Sequence, residues 1–185
     1  MELDGRVLKA LTIKQYPGSL HISQMNDVIG DLMQRTKQIP VPFAYSFTVQ
    51  TIDQEMSRND LHRKSGMATY QSAGPMASFL PKLVLKKTQY DIASIAIERD
   101  GKHLVKASLA VFLMARNPEE AEKATRMTTG LLKLKGFTPQ EEDTILFPIF
   151  MSFLPMGYTP ERDSFLHRSK TLLSHNAAHL SPVQA

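Results

Sequence analysis

The sequence predicts an α+β fold: a ferredoxin-like split βαβ sheet with helices on one face, interrupted by an inserted antiparallel helical hairpin. Three observations carry that reading. Residues 43–50 alternate Phe43, Tyr45, Phe47 and Val49 with Ala44, Ser46, Thr48 and Gln50, the period of a strand with one face in water. Residues 104–115 are apolar on both alternating faces, as a central strand requires. Between them, residues 53–99 hold two runs of helical spacing.

In chain order, residues 7–14 read as the first strand, with Val7, Lys9, Leu11 and Ile13 on one face. Tyr16-Pro17-Gly18 marks a turn. Ile22, Met25, Ile29 and Leu32 then share one helical face, and Pro40 and Pro42 end that element. After the aromatic strand comes "DQEMSRNDLHRKSGMATYQSAG", a long polar helix with a thin stripe of Met56, Met67 and Tyr70. A second helix follows from Lys82 to Arg99, striped by Val84, Tyr90, Ile92 and Ile95. Each stripe is narrow enough to be covered by the other helix, so 53–100 reads as a projecting arm, with a hairpin laid across the sheet as the equal alternative.

Beyond the central strand, Asn117 is placed as N-cap, Pro118 as N1 and Glu120 as N3 of a helix, with Ala124, Met127, Leu131 and Leu134 as its buried stripe and Gly136 after its end. Residues 137–143 form a weak edge strand, its Pro139 suited to an edge. Leu146, Ile149, Phe150, Phe153 and Leu154 predict a buried helix. A last helix is expected from Thr159 and Pro160, with Phe165, Leu166, Leu172 and Leu173 near one face; the tail from Ser174 shows no pattern. The whole is read as one accessory domain over 1–185, with 53–100 as the insertion and 157–185 as a helical linker.

Composition narrows function mainly by exclusion. The 185 residues are 42% hydrophobic and carry 22 Lys+Arg against 18 Asp+Glu, a net charge of +4 that admits nucleic acid without demanding it. No Cys is present, which excludes disulfides and thiolate metal sites. No apolar run reaches the ~20 residues needed to span a bilayer. The sequence has no phosphate-binding Gly-x-x-x-x-Gly-Lys loop, no Gly-x-Ser-x-Gly and no His-Glu-x-x-His. His175 and His179 are four apart but lack a third ligand. Glu119, Glu120 and Glu122 are explained by helix capping, and Glu141, Glu142 and Asp143 by the dipole of the following helix. No catalytic, cofactor or metal residue is therefore assigned. Lys82, Lys86 and Lys87 in the second arm helix, with Arg58, Arg63 and Lys64 in the first, make the arm basic. Arg58, Arg63, Lys64, Lys86 and Lys87 are the candidate partner contacts, although a solvated helical face is the plainer reading of the same residues.

A resemblance makes the reading more specific. "RVLKALTIKQYPGSLHISQMNDVIGDL", "IPVPFAYSFTVQTIDQ", "HLVKASLAVFLMARNPEEAEKATRMTTGLLKLKGF" and "ILFPIFMSFLPMG", taken in order, resemble the region ahead of the motor in TraC-like conjugative type IV secretion ATPases of the VirB-type assembly family. The resemblance runs from about Arg6 to about Leu180. It implies a non-catalytic piece of a longer protein, lying N-terminal to an ATPase domain that would bind ATP and Mg. It also implies work at the cytoplasmic face of the bacterial inner membrane in pilus assembly and in DNA or protein transfer, beside inner-membrane and motor components of the secretion system. Homo-oligomerisation is left open. The rival readings are a nucleic-acid-binding module that uses the basic arm and a small α+β enzyme.

Overall fold

The computed structural model describes residues 1–18, 25, 38–73 and 81–181. The fold is mixed α+β, and the chain divides into two compact units. One comprises Met1–Val49, Ala107–Lys170 and Asn176–Ala185, the other Gln50–Lys106 and Thr171–His175.

In the first unit, β1 (Glu2–Leu3) and β2 (Arg6–Gln15) form a hairpin. Asp4 and Gly5 both take positive φ, 49° and 69°. That is the two-residue turn whose twist matches the flanking strands, and an Asp-Gly pair suits it. β2 pairs antiparallel with β4 (Leu104–Ala115), Val7 opposite Ala115 and Thr12 opposite Ala110. On its other side it pairs with β5 (Thr138–Glu142), Ala10 opposite Glu142. β3 (Phe43–Thr51) lies beyond β4, and the long strands run β5, β2, β4, β3. The helix expected over residues 22–32 lies outside the described residues, apart from Met25, which is helical and buried.

β2 and β4 are buried on both faces, and each face has its own cover. Leu8, Ala10, Ala110 and Phe112 pack with Leu146 and Ile149 of α4 (Leu146–Phe153) and Leu166 of α5 (Pro160–Leu166) in numbering that starts α1 at Gln54. The opposite face carries α3 (Pro118–Leu134), to whose Glu122 the Lys9 ammonium reaches at 3.1 Å. Helices on one face only would leave the second apolar face of β2 and β4 in water, so that expectation is corrected.

The capping expected for α3 is present. Asn117 Oδ1 accepts from the Glu120 N–H at 2.8 Å, and the Glu120 carboxylate accepts from the Arg116 N–H at 2.7 Å. Beyond the helix, Gly136 sits at φ 82°, with Phe137 N–H donating back to Leu132 O at 3.0 Å. Gly130, inside the helix, has open space where a Cβ would stand. Gly130→Ala should therefore stabilise the protein by about 1 kcal/mol through lower unfolded-state entropy, raising Tm by about 3 °C in a thermal melt.

The C-terminal reading needs correction. α5 stops at Leu166, where His167 turns left-handed at φ 53°. Leu172 and Leu173 then belong to a strand, β6 (Lys170–Leu173), which pairs with β4, and α6 (Ser174–His179) follows where no pattern was seen. Residues 157–181 thus fold back into the two units and do not form a helical linker.

The second unit is built on the expected hairpin, α1 (Gln54–Ala73) and α2 (Pro81–Glu98). Asp53 caps α1 by accepting from the Met56 N–H at 2.9 Å. The Gln54 amide bonds both backbone groups of Leu104, at 2.9 Å each, as a neighbouring strand would. At the base, Ala96, Ile97, Leu104 and Leu173 form a small core, flanked by Ile52, Leu61 and Ala93.

Candidate functional site

The arm was expected to bury its apolar stripes between its helices. Apart from the half-buried Tyr90, it does the reverse. The partly or fully buried positions of α1 are Gln54, Ser57, Asp60, Leu61, Ser65, Ala68 and Ser72; among them Ser57, Leu61, Ser65, Ala68 and Ser72 recur at 4, 4, 3 and 4 residues and are mostly small. Ser65 Oγ lies 3.3 Å from Asp91 Oδ1, and His62 Nε2 lies 3.5 Å from Glu98 Oε1 across the seam. The large residues point away from it: Met56 is 71% exposed, Met67 58%, Tyr70 85%, Leu85 61%, Ile92 59% and Ile95 57%. Small side chains let the two helices approach closely, and the large ones are left on the far sides. On α2, Leu85, Thr88, Ile92 and Ile95 follow one another at 3, 4 and 3 residues, a heptad seam in water.

The five candidate basic residues do not form one patch. Arg63 and Lys64 share Asp60, at 2.8 and 2.6 Å. The Lys64 ammonium, and after it the Arg63 guanidinium, hold the Asp60 carboxyl below the usual carboxylate range. Lys86 is exposed and Lys87 half-buried on α2. The Ser65–Asp91 and His62–Glu98 contacts fix the antiparallel register, which sets Arg58 near the base and Lys86 near the level of residue 70. Twelve residues of helix separate those levels, roughly 18 Å. Part of the positive charge is thus neutralised within α1, and the rest is spread along the arm.

In the first unit several titratable groups are paired. Lys9 Nζ meets Glu141 at 2.6 Å, Glu122 at 3.1 Å and Asp143 at 3.3 Å. The hydrogen bond to Glu141 leads in raising its pKa, so Lys9 stays charged throughout the neutral range. Glu142, in register with Ala10, is buried on the α4–α5 face. Arg168 grips it with both arms, Nε to Oε1 at 2.6 Å and Nη2 to Oε2 at 3.0 Å, and Thr12 Oγ1 donates to the same carboxylate. Asp163, also buried, accepts from Ser169 Oγ. Burial, then the nearby Asp163, pushes the Tyr158 phenol up to about 12. The assignment of 141–143 to a helix dipole is corrected: α4 has no side-chain cap, and all three carboxylates pair elsewhere. Among the described residues no three His, Asp or Glu side chains are grouped as metal ligands. These ion pairs and hydrogen bonds fasten elements to the sheet: Lys9 ties β2 to β5 and α3, and Arg168 ties the chain after α5 to β5.

The sheet, the arm and α4 together span the stretch that a family comparison recognises. The sequence model of the family described as TraC protein matches residues 1–158, well over half of the chain. The chain belongs to the TraC family. Membership makes it a TraC-like protein of conjugative type IV secretion. No curated protein matches the chain. The TraC match takes in the whole arm, so the exposed apolar seam lies inside the family region. No described helix is long and apolar enough to cross a membrane.

Two features escaped sequence reasoning. The outward set of the arm left a readable signal in the heptad spacing from Leu85 to Ile95. The Glu142–Arg168–Thr12 clamp left none, because its three members are brought together only by strand pairing and by the turn at His167.

Proposed function

We propose that this TraC-family chain is a non-catalytic contact domain of a conjugative transfer ATPase, and that the arm is its docking element. The single observation that supports the reading most is the inverted arm: helices closed on small residues, with Met67, Tyr70, Leu85, Ile92 and Ile95 left in water. An arm meant only for solvent has no use for such a surface, and exposed apolar patches of this kind mark interaction sites. The parent would carry the ATP- and Mg-dependent motor and work at the cytoplasmic face of the inner membrane, in pilus assembly and DNA or protein transfer. The partners are inner-membrane and motor components of the secretion system. The apolar seam of α2 carries the contact, and Arg58, Arg63, Lys64, Lys86 and Lys87, spread along the arm, add positive charge to it.

The test is a paired substitution in the parent protein. Leu85→Asp with Ile92→Asp should leave the melting temperature within about 2 °C, since exposed positions change stability by roughly 0.5 kcal/mol or less. Transfer frequency in a complemented mating assay should fall at least tenfold. Transfer at the wild-type level by a stably expressed double variant ends the proposal. The nucleic-acid reading predicts something else: DNA affinity that drops steeply across a salt series and disappears with Lys86→Glu and Lys87→Glu.

The arm should also be separable. Bridging Ile52 to Gly101 with a short flexible link removes the hairpin and keeps the first unit's core of Leu8, Ala10, Ala110, Phe112, Leu146, Ile149 and Leu166. A single cooperative melt is expected by circular dichroism. A molten product means that the arm is part of the core.

A further inference from the structure

The two edges of the sheet are treated differently. β5 is short and carries Pro139, Glu141 and Glu142, the devices by which proteins stop an edge from pairing further. β3 ends the order on the other side, with nine residues, FAYSFTVQT, that include no charge, no proline and no glycine. Its side chains are half-buried, apart from the exposed Ala44, Val49 and Thr51. A long, uncharged, aromatic-rich edge of this kind is a template for another strand.

The direction of its backbone groups can be read. The Met114 N–H donates to Pro42 O at 2.9 Å, so that carbonyl points to β4. Alternation along the strand then turns residues 44, 46 and 48 toward β4, and the N–H and C=O groups of Tyr45, Phe47 and Val49 outward.

We propose that β3 is a dimerisation edge whose occupant is β3 of a second copy of this chain, paired antiparallel about Phe47. The argument for a second copy is self-complementarity. With Phe47 opposite its own counterpart, Tyr45 faces Val49 and Ser46 faces Thr48. Every outward-pointing residue of 45–49 exchanges both backbone bonds with its partner. The three kinds of pair formed, aromatic on aromatic, aromatic on β-branched, and Ser on Thr, are the kinds that stabilise antiparallel ladders. No like charges meet, because the strand has none. A two-fold axis through Phe47 makes the contact isologous, so it closes at two copies. Ser46 Oγ donates to Phe153 O at 2.8 Å, which fixes the end of α4 on β3. The exposed Leu154 and Met156 that follow extend the apolar surface beside this strand.

Sedimentation velocity on the whole chain across a concentration series tests this. The wild type should form a dimer by 100 µM, whereas Val49→Pro, which removes an N–H that the alternation turns away from β4, should weaken dimerisation at least tenfold with its circular dichroism unchanged. A second readout does not depend on that variant folding. The chain has no Cys, so a nitroxide on Val49→Cys is a unique label. In the stated register two labels stand about 14 Å apart, close enough to broaden the spectrum, and dilution with unlabelled protein should remove the broadening. A wild type that stays monomeric at 100 µM overturns the proposal. So does a dimer that Val49→Pro leaves equally tight, or a dimer whose labels show no broadening. Binding of a foreign extended peptide to a monomeric chain at this edge also overturns it, in favour of a different occupant.

Discussion

Arg168→Met is expected to cost about 3 kcal/mol of stability and to lower Tm by roughly 9 °C. The reason is what the substitution leaves behind. Glu142 is 2% exposed, and Arg168 supplies its counter-charge through two parallel hydrogen bonds. Without the guanidinium, a buried carboxylate keeps only the Thr12 hydroxyl. The intact pair is worth far less than its rupture suggests, because forming it already costs the desolvation of both ions. Glu142→Leu combined with Arg168→Met should therefore recover most of the loss. Arg168→Lys should fall between, since an ammonium cannot grip two oxygens in a plane. Denaturant melts of the wild type, Glu142→Leu, Arg168→Met and the double variant give the coupling directly, with Arg168→Lys measured beside them. A cost under about 0.5 kcal/mol for Arg168→Met would mean the pair behaves as a surface ion pair. The third arm of Arg168 holds Leu166 O at 2.7 Å, so the same side chain also fixes the chain reversal at His167 that leads into β6.

Local chemistry was legible wherever one short segment contained all of it. The alternation of Phe43 to Gln50, the cap of Asn117, Pro118 and Glu120, and the heptad-like spacing within residues 81–98 each state their element without help from distant residues. The Asp4–Gly5 turn is equally local, but only a two-residue strand precedes it, too short to show an alternation. Errors arose where the partner of a face had to be guessed. Met56, Met67 and Tyr70 form a stripe in the sequence whichever way the helix turns, and only the register with α2 shows that Ser and Ala occupy the seam. Leu172 and Leu173 continue a helical spacing from Phe165, yet His167 reverses the chain and β4 offers them a ladder. The candidate basic residues are visible as a list in the sequence. Their separation along the arm, and the Asp60 that offsets Arg63 and Lys64, are facts of register.

The same question of which face has a partner makes α4 the most informative helix to cut. It is apolar on two sides: Leu146 and Ile149 are buried against the sheet, while Phe147 is 60% exposed and Met151 39% exposed. Ile149→Ala should cost about 3 kcal/mol, the usual price of a cavity beneath a fully buried aliphatic residue, and lower Tm by roughly 9 °C. Phe112 packs edge-on against Phe150 and Phe153, which limits how far the site can collapse and keeps the cavity term large. Phe147→Ala removes a larger side chain from the outer face and should cost under about 0.5 kcal/mol. Thermal melts of the two variants side by side separate the possibilities. If Phe147→Ala destabilises as much as Ile149→Ala, the outer face is already covered in the isolated chain. If only Ile149→Ala does, the outer row of α4 contributes nothing to folding, and its apolar surface is held for another body, beside the arm and the β3 edge.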